Sequence, residues 1–73
     1  MKKYRLSICV KDSSEPLVFT MKEAALNTFR KWYEDTNLLE QEKPTMGIIN
    51  EDGSTYIMKA YNIRYYAFKE IET

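Results

Sequence analysis

Only one stretch of this chain carries a helical repeat of apolar residues, and the segments on either side of it alternate in the manner of strands. Ala25, Leu26, Phe29, Trp32, Tyr33 and Thr36 recur at helical spacing, while Lys22, Asn27, Arg30, Lys31 and Glu34 take the other side. One helix covers one face of a sheet and no more, so the fold turns on what the strands place on their second face. Thr20 followed by Glu23 has the spacing of a capping box and sets the expected helix start. Pro44 bars any continuation, which leaves an end near Asn37 or at Gln41.

Upstream, Tyr4, Leu6, Ile8 and Val10 alternate with Lys3, Arg5, Ser7, Cys9 and Lys11, the period of a half-buried strand. The turn formers Asp12, Ser13, Ser14 and Pro16 follow, and Leu17, Phe19 and Met21 resume the alternation, so a hairpin is expected. Downstream, residues 45–50 and 54–58 are β-rich runs flanking Asn50-Glu51-Asp52-Gly53. Asp-Gly is a strong hairpin signal because glycine takes positive φ at little cost. A final strand runs from Ile63 to Ile71. The order is ββαβββ, an α+β fold in which one helix packs on a mostly antiparallel sheet of four to five strands, with residues 1–73 as a single domain.

In the C-terminal half the apolar residues are consecutive rather than alternating: Ile48-Ile49, Tyr56-Ile57-Met58, then Tyr65-Tyr66 with Phe68. Neighbours along a strand point to opposite faces, so apolar groups must leave both sides of the sheet. Ile49, Ile57, Arg64, Tyr65, Tyr66 and Phe68 are accordingly the candidate interface residues, since an uncovered apolar patch marks a contact surface. Three arrangements satisfy this pattern: a bulged or curled sheet that buries both sides, a second copy of the chain, or a foreign protein.

Other stabilisers are few. In 73 residues a single core is barely sufficient. Cys9 is the sole cysteine and there is no histidine, so neither an internal disulfide nor a zinc site is expected. A homodimer or higher homo-oligomer is the expected remedy. The same composition removes Ser-His and Cys-His catalysis, and the two glycines cannot build a phosphate cradle. The carboxylate pairs Glu34-Asp35, Glu40 with Glu42, and Glu51-Asp52 all fall at a helix end or in loops, where solvated charge is the ordinary role. A non-enzymatic protein without catalytic residues, cofactor or metal is expected.

Eleven cations balance eleven anions, which disfavours a dedicated nucleic-acid binder. The charge is unevenly spread: residues 1–33 hold seven cations against three anions, and residues 34–53 hold six anions against Lys43. Such a layout can steer a partner or set the register of an assembly. Arg64-Tyr65-Tyr66 and Lys59-Ala60-Tyr61 pair cations with aromatics in the way small nucleotides or single strands are held, so a small nucleotide at a subunit interface remains an alternative. The N-terminus alternates instead of forming a continuous apolar run and no stretch has spanning length, so a cytoplasmic protein with no membrane partner is expected.

The stretch from Gly53 to Tyr66, with a short strand, an Asn62-Ile63 step and an aromatic strand in succession, resembles the ending of many small uncharacterised accessory proteins encoded by phages and prophages of Gram-positive bacteria. The resemblance covers the C-terminal third and transfers no functional residue. It implies a small protein that binds and inactivates a host protein or sequesters a nucleotide signal.

Overall fold

Alternation upstream and helical repeat in the middle place the first three elements as expected. The computed structural model describes residues 2–35, 37–39 and 42–72, with Glu72 described by its backbone. Its elements are β1 (Lys3–Val10), β2 (Leu17–Lys22), α1 (Glu23–Tyr33), β3 (Met46–Ile49), β4 (Thr55–Met58), a 3-10 turn at Ala60–Asn62, and β5 (Ile63–Glu72). The fold is α+β with antiparallel pairing throughout. Its strands do not form one sheet, however. They divide into a three-stranded sheet in the order β2-β1-β5 and a separate β3-β4 ribbon.

The registers define the faces. Leu6 lies between Phe19 and Phe68, and Ile8 between Leu17 and Tyr66, on the side that α1 covers. Ser7 lies between Val18 and Ala67, and Arg5 between Thr20 and Lys69, on the back. Leu6, Ile8, Phe19 and Met21 join Leu26 and Phe29 from α1 in the core, and the ribbon contributes Ile48 and Met58 to the same cluster. Phe29 and Leu26 are each 2% exposed. The helix and the ribbon together thus cover one face of the larger sheet.

Two helix boundaries differ from the sequence reading. Thr20 does not cap α1: it remains in β2, opposite Arg5, and its N–H donates to Asn50 Oδ1 at 3.0 Å. Lys22 takes the cap position without a side-chain bond, and Glu23 supplies only a favourable charge in the first turn. The other end stops at Tyr33, short of Asn37. Asp35 Oδ1 accepts the Asn37 N–H at 2.9 Å, a local turn that competes with further helix. Lys43 Nζ donates to the Tyr33 carbonyl, and Trp32 Nε1 donates to the Pro44 carbonyl at 2.8 Å, fastening the returning chain to the last turn. Thr36, placed on the apolar helix side, Gln41, the alternative helix end, and Glu40 of one carboxylate pair lie outside the described residues.

The second hairpin forms where Asp-Gly places it. Gly53 has φ +92, a conformation that side chains with Cβ avoid, and its N–H donates to the Asn50 carbonyl at 2.9 Å. Asp52 Oδ1 accepts from both the N–H and the hydroxyl of Ser54. Those two bonds hold the Asp52 carboxyl below its ordinary range.

Candidate protein-contact site

The six candidate residues occupy three places rather than one patch. Ile49 and Ile57 lie on the outer side of the β3-β4 ribbon, 64% and 69% exposed, because their neighbours Ile48 and Met58 point into the core. Tyr65 lies on the back of the larger sheet opposite Cys9, whose sulfur beside the hydroxyl holds the phenol above its ordinary range. Arg64 sits exposed at an irregular step, where the pairing passes from Val10 with Ile63 to Cys9 with Tyr65. Tyr66 and Phe68 are on the helix side, opposite Ile8 and Leu6.

Tyr66 is therefore not part of a bare second face. Its ring meets Phe29 edge-on at 5.1 Å and Tyr33 at 5.5 Å, within the preferred range for aromatic pairs. Its hydroxyl donates to Glu34 Oε2, and Arg30 Nε donates to the same oxygen at 3.3 Å. Burial first, then the bond to Glu34, pushes the Tyr66 phenol above its ordinary range, while the Tyr66 hydroxyl holds the Glu34 carboxyl down. This group ties the end of α1 to β5. Phe68, 39% exposed, packs edge-on to Tyr4 and lies 4.9 Å beneath the Arg30 guanidinium.

Ile49 borders a groove between α1 and the ribbon. One part, about 250 Å³, runs among Phe29, Met46, Gly47 and Ile48. The adjoining part, about 320 Å³, reaches Lys22 and Glu51, and both parts share Met21, Ala25 and Ile49. The first part is walled mostly by apolar side chains, which suits an apolar anchor from another protein, and the second adds Lys3, Thr20, Lys22, Asn50 and Glu51 at its rim. In the sequence Ala25 falls on the apolar helix side and Thr28 carries no expected role. Their signal there was small side chains early on an amphipathic helix, which leave room for the groove.

The back of the larger sheet carries Arg5, Lys22 and Lys69 on one side with Tyr65 further along. Lys3, at its end, pairs with Glu51. Lys59 lies 5.8 Å from the Tyr61 ring, so this cation and aromatic face each other. Among the described residues, no three His, Cys, Asp or Glu side chains are grouped to hold a metal ion, and no helix is long and apolar enough to cross a membrane. Compared with known protein families, curated proteins and solved structures, the chain matches none of them.

Proposed function

We propose that this chain is a non-enzymatic cytoplasmic binding protein that self-associates and acts by contacting other proteins, in the manner of phage and prophage accessory proteins that inhibit a host protein. The observation that carries the reading is the ribbon's outer side, where Ile49 and Ile57 stay bare next to an apolar groove. Isoleucines left in water on the ribbon's outer side have no role in the chain's own core. They are of the kind that a partner desolvates.

Light scattering across a dilution series tests the self-association, and immobilised protein with an Ile57→Asp control tests the contact face. The expected result is a mass above one chain at high concentration, with a specific host protein retained by the parent chain and lost by Ile57→Asp at unchanged circular dichroism. A single-chain mass at every concentration, with equal capture by both proteins, overturns the reading.

A small-nucleotide site is the second reading, favoured by the exposed Tyr65 ring adjoining the Arg64 cation on β5. It requires a rise in melting temperature with mono-, di- or cyclic nucleotides. No shift across that panel removes it.

A further inference from the structure

The two edges of the larger sheet are treated differently. At the β2 edge, the ribbon's loop closes over the strand: Glu51 N–H donates to the Thr20 carbonyl at 3.0 Å, and Asn50 Oδ1 accepts the Thr20 N–H. At the other edge, among the described residues, β5 pairs with β1 alone. From Tyr65 to Glu70 the pairing with β1 is unbroken, the irregular steps falling at either end of that run. Among the described residues, no backbone group outside the β1 side bonds to this run. An unpaired edge is a template for another strand, and proteins blunt it with charged side chains, proline, bulges or very short length. The Tyr65–Glu70 run contains no proline, glycine or bulge, its charges are confined to Lys69 and Glu70 at one end, and Ala67 at its middle is small and exposed.

We propose that two copies of this chain pair antiparallel along β5 about a two-fold axis at Ala67, forming one continuous six-stranded sheet. The inference rests on the self-association proposed above and specifies its surface. Antiparallel pairing centred on Ala67 sets Tyr66 opposite the second copy's Phe68 and Tyr65 opposite its Lys69, each twice over, and brings Arg64, at the irregular step just before the run, beside its Glu70. Aromatic meets aromatic, a ring meets a cation, and opposite charges meet, the cross-strand combinations that stabilise sheets. A shift of one residue would set Tyr66 against Lys69 and turn the second copy's faces over. Centring on Phe68 would set Tyr66 against Glu70, and centring on Tyr66 would set Arg64 against Phe68. The Ala67 register alone matches every pair.

That register also keeps the helix sides of both copies together. Helix α1 packs chiefly over β1, β2 and β3, which leaves Phe68 39% exposed on the helix side of the open edge. The second copy's Tyr66 and Phe68 would continue this aromatic row and cover it. A contact of one strand and a few rings lies at the small end of specific interfaces, so the dimer should dissociate on dilution.

Residues on a two-fold axis meet their own copies, which makes the test direct. Opposed residues in an antiparallel pair have Cα atoms about 5 Å apart, a separation a disulfide can bridge. In the full chain with Cys9→Ser, Ala67→Cys should form a covalent dimer under mild oxidation several times faster than Val18→Cys, which is exposed but lies on β2. Independently, Glu70→Arg should raise the dissociation constant read by light scattering at least tenfold, and Arg64→Glu combined with Glu70→Arg should recover most of that loss. A wild-type dimer whose Ala67→Cys variant links no faster than Val18→Cys, and whose charge reversal has no effect, overturns the β5 surface while self-association stands. A single-chain mass at all concentrations overturns both.

Discussion

Phe29→Ala removes the ring against which Trp32, Tyr33 and Tyr66 all pack. Phe29 is 2% exposed and lies 5.9 Å from both Trp32 and Tyr33, stacked nearly parallel on the latter, and 5.1 Å from Tyr66. Truncating a buried phenylalanine to alanine costs about 3–5 kcal/mol through lost transfer energy and the cavity left behind. At the usual stability per residue, a chain of 73 residues holds roughly 4–11 kcal/mol in all. The variant should therefore lose between about a quarter and all of its stability. Phe29→Leu keeps the apolar volume and should cost only about 1–1.5 kcal/mol, or a fall of roughly 4–12 °C in Tm for a domain of this size. Trp32 is the sole tryptophan, so urea titration followed by its fluorescence and by circular dichroism reports on the same cluster and on the backbone. Both variants should be measured at two protein concentrations, because self-association adds stability by mass action. If Phe29→Ala unfolds within about 0.3 kcal/mol of wild type, beneath the scale of ordinary surface changes, the helix does not dock as described.

Gly53→Ala should destabilise by about 1–2 kcal/mol in a thermal melt, since space surrounds the position and only its positive φ opposes a Cβ. Asn50→Ala leaves the Thr20 N–H without its acceptor and should cost about 1–3 kcal/mol, with faster amide exchange at Thr20 as the local readout. Stability should also fall in acid. Glu34 and Asp52 are held below their ordinary values of 4.5 and 3.8, by the Tyr66 and Ser54 hydroxyls first. A depressed carboxyl stabilises above its unfolded value and ceases to as pH drops through the folded one. The urea midpoint should stay level down to about pH 5 and decline below 4.5, with a shallower decline in Tyr66→Phe, whereas equal slopes would deny the Tyr66–Glu34 link.

Periodicity made β1, β2 and α1 legible, and Asp52-Gly53 located the ribbon's turn. The failures have specific causes. The Thr20–Glu23 spacing fits a cap, yet Thr20 gains two backbone-linked bonds with the Asn50-Glu51 loop by staying in β2, and no local pattern carries that competitor. Tyr66 and Phe68 fall on the covered side, which the sequence does not reveal because an unbroken apolar run has no visible phase. Tyr65 and Tyr66 are equivalent candidates for the core until pairing with Cys9 and Ile8 sorts them. Ile48-Ile49 and Ile57-Met58 are equally ambiguous in the sequence, and only the burial of Ile48 and Met58 turns Ile49 and Ile57 outward.

By itself the order of the residues determined which segments extend and which coil, because backbone preference and apolar period act within a few neighbours. It also determined that one helix could not cover every apolar group. Tertiary structure alone decided that the described strands divide three and two, that the ribbon's loop closes the β2 edge, and that β5 has an open outer side. Those outcomes depend on hydrogen bonds between segments tens of residues apart, and the energy of such bonds is set by which partner arrives, a property no single segment encodes.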